Sequence, residues 1–341
     1  MSDFHLVRGF EEVWRPAARP PIKFPERGRS AAPDPRARLR RIAARVPEVM
    51  VKVTGRTRDA GQLAAHLTYI TRNGQAPAED REGWAVSGRR EVEDLARDWA
   101  ALQAGDPRRR ANSPYSVALM LSMPAGTDAI GLRDAARSFA REAFGARFDY
   151  VLALHTDTPH PHVHLTVRAL GDDGSRLNPK KADLEAWRQA FAQALRDRGI
   201  AAEATPRRAR GVTRKAERTG LRKIRERAEA GRGAVARTQR GAYREAARTA
   251  FGEGGDPAPW DLAIVARQRR VRALYAAQAA ILRASGRDED KVLGEALAAF
   301  VAAMPAAETQ RRAMERALRR ARPVARQGHE AKGREQPPPR R

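Results

Sequence analysis

Cysteine is absent from all 341 residues. Disulfides, thiolate zinc sites and cysteine nucleophiles are therefore excluded. Long apolar runs are missing too. No stretch offers the roughly 20 apolar residues of a membrane-crossing helix, and no signal-peptide core is visible. Membrane insertion and export are not expected, and the bacterial cytoplasm is the expected compartment. Lysine is scarce beside arginine. Anions are in deficit, with 41 Asp and Glu against 66 Lys and Arg, a formal net charge of +25. Such a charge predicts affinity for polyanions with a steep salt dependence. Arginine's planar fork suits phosphate. Arginine and alanine also rise together in GC-rich genomes, so the sign of the charge is the firmer signal. A membrane surface is the rival partner.

The length allows roughly two domains. Residues 1–47 are rich in Pro and Arg and lack a sustained apolar period, which predicts a mostly disordered basic arm with a short helix just before Pro47. Order is expected from residue 48 to 212. Val49, Val51 and Val53 alternate as in a strand. Leu63, Leu67 and Ile70 form the stripe of a helix that Gly74 would stop. "EVEDLARDWAALQAG" predicts a second helix, "YSVALMLSMPAGTD" a strand ending at Pro124, and "DAIGLRDAARSFAREAFG" a third helix. "DYVLALH" and "HVHLTVRAL" read as strands, and Leu184, Trp187, Phe191 and Leu195 as the stripe of a fourth helix. The short turn between the two histidine-bearing strands requires antiparallel pairing. The expected fold is α+β, a central antiparallel sheet flanked by helices. Residues 213–322 read as a basic helical region. In it Ile264, Val271, Leu274, Ala277 and Ile281 form one apolar face, and Leu293, Leu297, Phe300, Val301 and Met304 another. Residues 323–341 read as a disordered tail.

The stretch "HTDTPHPHVH", His155 to His164, holds four of the seven histidines. Side chains alternate faces along a strand, so His162 and His164 share a face while Val163 and Leu165 take the other. If Val163 and Leu165 pack with Leu152 and Leu154, His155 joins the two histidines across the hairpin. Three imidazoles so placed can hold one metal with positions left open for substrate. His160 falls in the turn, less well aimed, and is an auxiliary candidate. A lone histidine is usually a surface or hydrogen-bonded core residue; the combined pattern is far more specific than any one of its members.

The pattern resembles the third motif of the relaxase/mobilization nuclease family of HUH endonucleases, in the branch of the border-nicking and plasmid relaxases. Two earlier stretches resemble the family's other motifs in order. "AHLTYITRNG" is similar to the first, which places the nucleophilic tyrosine at Tyr69, and "VALMLSMPAGTD" to the second, which places a DNA-binding serine at Ser122. The likeness spans about residues 49 to 212. It implies a palm or ferredoxin-like sheet. It also implies nicking of one DNA strand at an origin of transfer through a 5′-phosphotyrosine, with rejoining by reversal. At 100° per residue Tyr69 lies about 120° from its helix's apolar stripe, as an exposed nucleophile requires.

Tyrosine, with a pKa near 10, needs help to attack a phosphate, and a divalent ion on His155, His162 and His164 would polarise that phosphate. Asp157 either orients a ligand histidine or accepts a proton, and the sequence leaves both open. Asp80 and Glu82 are weaker candidates for the base. Arg72 is a candidate phosphate contact or a solvated arginine. Three imidazoles suit Zn²⁺ or Mn²⁺ by ligand softness; the resemblance favours Mg²⁺ or Mn²⁺. Expected partners are single-stranded DNA at a nic site, relaxosome accessory DNA-binding proteins and a type IV secretion coupling protein. The rival readings are a rolling-circle replication initiator, in which the tyrosine usually follows the histidines, a DNA-binding protein with a structural metal, and a hydrolase of small phosphoesters.

Overall fold

The structure, a computed structural model, describes residues 4–14, 34–213, 217, 219–252 and 258–320. The chain divides into two compact units: Met1–Pro206 with Gln278–Phe300, and Arg207–Ala277 with Val301–Arg341. The strands are β1 (Met50–Thr57), β2 (Ala78–Asp80), β3 (Ala85–Val86), β4 (Ser116–Ser122), β5 (Tyr150–His155) and β6 (His162–Arg168). The helices before residue 206 are α1 (Phe10–Trp14), α2 (Pro35–Ala43), α3 (Ala60–Ile70), α4 (Gly88–Ala104), α5 (Ala129–Ala143) and α6 (Lys181–Arg196).

The six strands form one sheet in the order β1-β4-β6-β5-β2-β3, and every pairing is antiparallel. Alternation gives each face its own core. On one face Leu119, Leu121, Leu152, Val163 and Leu165 meet Phe139 of α5 and Trp187 and Phe191 of α6. On the other, Val151 and Ala153 meet Leu63, Leu67 and Ile70 of α3 and Trp99 of α4. The sheet thus lies between two helical layers, the expected α+β arrangement. Asp59 caps α3 by accepting from Gln62 N, and Asp128 caps α5 by accepting from Ile130 N and Gly131 N. The latter gives the Pro-Ala-Gly-Thr-Asp turn after β4 a structural task.

Parts of the N-terminal segment are ordered. The helix before Pro47 forms as α2, with Leu39 and Ile42 fully buried. A second short helix, α1, buries Phe10, Val13 and Trp14. Five residues are too few to show a helical period, which is why the sequence hides it. The Pro- and Arg-rich residues 15–33, the middle of the expected arm, lie outside the described residues, as does the expected tail from 323.

After residue 206 come α7 (Thr219–Glu229), α8 (Arg237–Ala250), α9 (Pro259–Arg283), α10 (Asp288–Ala302) and an eleventh helix over residues 310–320. Helices α7 and α8 bury little. The buried stripe of α9 differs from the expected one: Val271, Tyr275, Gln278 and Leu282 are buried, while Ile281 is exposed. Alanine on both sides of the helix gives the pattern too little contrast to fix its phase. The face of α10 is as expected for Leu293, Leu297 and Phe300.

Candidate active site

The hairpin register sets His155 opposite His162, Leu154 opposite Val163, Ala153 opposite His164 and Leu152 opposite Leu165. Directly opposed residues share a face, so the three histidines emerge together on the face covered by α3. Their ring centroids lie 4.5 Å apart for His155 and His164, 5.1 Å for His162 and His164, and 5.4 Å for His155 and His162. One nitrogen from each lies within 4.8 Å of the others. His155 and His164 are buried.

Two of the rings have their tautomers set by backbone carbonyls. His155 Nε2 donates to Ile70 O at 2.7 Å, which leaves the lone pair on Nδ1. His162 Nδ1 donates to His160 O at 3.1 Å, which leaves Nε2. A fixed tautomer orients a ligand nitrogen. Burial, then the charges of His155 and His162, pushes the His164 imidazole down to about 4, and burial lowers His155 as well. Both rings are thus neutral near pH 7, the state a metal requires. The donor set fits a divalent ion.

Tyr69 sits on the outer edge of α3, 59 % exposed, with its ring edge-on to His164 at 6.0 Å between centroids. After α3 the backbone turns through three successive left-handed residues, Arg72 (φ 52°), Asn73 (φ 59°) and Gly74 (φ 79°). A Cβ on Gly74 would lie 2.3 Å from the Gly88 carbonyl carbon, so only glycine fits there. The turn carries Arg72 back to the triad. Its Nη2 lies 2.5 Å from Asp157 Oδ2 and 3.4 Å from His155 Nδ1. The Arg72 hydrogen bond holds the Asp157 carboxyl below its ordinary range. Asp157 therefore touches Arg72, and through it His155.

The other candidates sit differently from the triad. Ser122 is buried, and its hydroxyl donates to Met123 O and Pro161 O at 3.4 and 3.3 Å. Its side chain supports the turn that leads into His162, and so little surface remains to meet DNA. His160 is exposed, and its carbonyl, not its ring, orients His162. Asp80 pairs with Val151, four residues along β5 from His155, and Glu82 is engaged by Arg81. Both carboxylates lie toward the far end of the sheet from the triad. His66, in contrast, was not singled out as a site residue. It lies one turn before Tyr69, its Nε2 2.8 Å from Thr166 Oγ1. Its i, i+3 spacing from Tyr69 was the available signal.

Residues 69–200 match the family model "Relaxase: MobA/VirD2-like, nuclease domain". The chain is 27% identical over 184 residues to the T-DNA border endonuclease VirD2 of Agrobacterium fabrum, covering 49% of this chain and 41% of that protein. It is 25% identical over 183 residues to VirD2 of Rhizobium rhizogenes, covering 48% and 42%. The chain thus spans about two fifths of the length of the curated relatives it matches. Among solved structures, the MobM relaxase domain bound to plasmid pMV158 oriT DNA, in an Mn-bound crystal, is similar at 12% identity and a TM-score of 0.35, over 52% of this chain and 97% of that one. Residues 69–200 are thus similar to the nuclease domain of MobA/VirD2-like relaxases.

Proposed function

We propose that this protein is a conjugative relaxase that nicks one DNA strand at an origin of transfer and keeps the cut end as a 5′-phosphotyrosine on Tyr69. The carrying observation is that an exposed tyrosine on α3 stands edge-on to a buried histidine of a three-imidazole cluster. In the reaction Tyr69 Oη bonds to the scissile phosphorus and loses its proton. The bond from phosphorus to the 3′ oxygen breaks, and that oxygen takes a proton. Reversal rejoins the strand.

When bound, a divalent cation on His155 Nδ1, His162 Nε2 and a nitrogen of His164 supplies Lewis-acid charge at the phosphate. Mg²⁺ or Mn²⁺ is the working ion on this reading, with Zn²⁺ a competent substitute, and the Mn-bound state of the MobM domain supports the choice. The chain's own groups do the rest. The carbonyls of Ile70 and His160 hold the rings in place. Asp157 keeps Arg72 at the mouth of the site, where a phosphate oxygen can accept from it. The partner is single-stranded DNA at a nic site, with relaxosome accessory proteins and a secretion coupling protein beyond it, in a bacterial cytoplasm. No helix among the described residues is long and apolar enough to cross a membrane. The position of Tyr69 ahead of the histidines favours this reading over a rolling-circle initiator.

The test uses supercoiled plasmid carrying the intergenic DNA beside the coding region. Wild-type protein with Mg²⁺ or Mn²⁺ should yield open circles bearing protein at the 5′ end, and the Tyr69→Phe variant none. A peptide adduct on another tyrosine, or full nicking by Tyr69→Phe, would overturn it.

A further inference from the structure

On the face of the sheet that carries the histidines, one row of opposed residues runs Met50, Ser122, His162, His155. The next runs Lys52, Met120, His164, Ala153. Helix α3 closes the β5 end of these rows through Leu63, Leu67 and Ile70. The β1 end stays open. Met50 is 46 % exposed, Lys52 is exposed and Met120 is half-buried. After a bulge between Val53 and Gly55, Gly55 lies opposite Ala118, and a Cβ there would meet nothing within 4 Å. Lys52 makes no ion pair among the described residues.

The result is a shelf that begins at the triad and is flanked by the α3 edge that carries Tyr69. Its surface pairs two thioethers with one free ammonium. Methionine sulfur packs favourably on aromatic rings of any sequence, and bases present flat faces only when unpaired. The ammonium lies one strand beyond Met120, in the His164 row, where a phosphate leaving the site would pass. Glycine at the bulge lets a backbone lie close. We propose that this shelf of β1 and β4, with Met50, Lys52, Gly55 and Met120, seats the single strand of DNA next to the cleavage point. Bases rest on the two methionines and a phosphate on Lys52. The proposal rests on the reading of Tyr69 and the triad as a DNA-cutting site.

The absence of cysteine makes the test clean. Lys52→Cys and Arg90→Cys each carry one thiol for an azidophenacyl photo-cross-linker. Arg90 lies on α4 with its side chain 95 % exposed, and serves as the control cation. With a labelled mixed-sequence single-stranded oligonucleotide, irradiation should cross-link the Lys52→Cys protein well above the control. Lys52→Gln should weaken binding several-fold and lower the slope of log affinity against log salt by about 0.7, one phosphate contact on a single strand. Arg90→Gln should leave the slope unchanged. Equal cross-linking from both positions, or a wild-type slope in Lys52→Gln, overturns the shelf. The cross-link needs no cleavage. A protein that cross-links but nicks nothing overturns the cleavage reading alone, and one that nicks without the cross-link overturns the shelf alone.

Discussion

His66 Nε2 and Thr166 Oγ1 lie 2.8 Å apart, joining the helix of Tyr69 to the strand of His162 and His164. A second bond, His155 Nε2 to Ile70 O at 2.7 Å, ties the same helix to the other histidine strand. The two bonds bracket Tyr69, one three residues before it and one a single residue after. Thr166 is fully buried, so this bond is shielded from competing water. The pair fixes where the Tyr69 hydroxyl stands relative to the triad.

Loss of the first tie should therefore show in the chemical step. Thr166→Val keeps the side chain's volume and removes the hydroxyl. A misplacement of about 1 Å can cost about 100-fold in rate, so the adduct rate at saturating DNA should fall by up to that factor. The Kd for oligonucleotide and for Mn²⁺ should hold. Thr166→Ser should restore the rate. A rate loss matched by weaker metal binding, or no rescue by serine, would mean a merely structural role.

Much of this site was legible in the sequence because a strand has a period of two. His162 and His164 had to share a face, and hydrophobic packing of Leu152 with Val163 and Leu165 had to bring His155 to join them. The exposed setting of Tyr69 followed from its angle off the Leu63, Leu67 and Ile70 stripe. What stayed hidden depends on contacts between distant segments. Nothing local says that Ser122's hydroxyl is spent on Pro161 O, that a carbonyl of His160 rather than its ring serves the site, or that Asp80 pairs far along β5 from His155. Backbone conformation was equally silent: Arg72 reaches the triad only because three left-handed residues follow α3.

The lowered imidazoles predict how the metal-free protein responds to acid. In the unfolded chain a histidine takes its proton near pH 6.5. In the fold His164 does so only at about 4, and burial lowers His66 and His155 as well. The unfolded state then binds more protons below 6.5, so stability from these groups is full above that pH and falls as pH drops toward 4. Chelator-treated protein should show a Tm that declines across this window, and His164→Gln should flatten the decline. Glu203, held below its ordinary range mainly by Arg41 and Thr205 against the pull of burial, adds its own loss only below about 4.5. A Tm that stays level from pH 6.5 to 5 would contradict the histidine account.

The expected nuclease-domain boundary at residue 212 can be tested against the compact unit, which includes Gln278–Phe300. Asp290 pairs with Arg36 at 3.0 Å, Glu289 with Arg40 at 3.1 Å, and Gln278 accepts from Val7 N at 2.9 Å. A chain ending at 212 loses all three and leaves Arg36 without Asp290. The two sheet cores include no residue beyond 204. The shortened chain should therefore keep metal binding and cut a nic oligonucleotide, with a lower Tm and dye-binding apolar surface around α1 and α2. An unchanged Tm would show that the C-terminal segment adds nothing to this unit.

Arg72 and Asp157 should act on metal affinity with opposite signs. The Arg72 charge stands 3.4 Å from His155 Nδ1 and disfavours a second cation there; Asp157, 2.5 Å from the same guanidinium nitrogen, offsets it. Arg72→Gln should tighten Mn²⁺ binding in calorimetry, Asp157→Asn should weaken it, and the double variant should return near wild type. The double variant also separates the two roles open to Asp157. If the carboxylate works by restraining Arg72, adduct formation at saturating DNA and Mn²⁺ recovers in the double variant relative to Asp157→Asn. If it accepts the Tyr69 proton, metal binding recovers and adduct formation does not. The lowered pKa of Asp157 makes its carboxylate a weak base, so recovery is the expected result. A double variant that binds Mn²⁺ normally and still forms no adduct would assign the proton to Asp157.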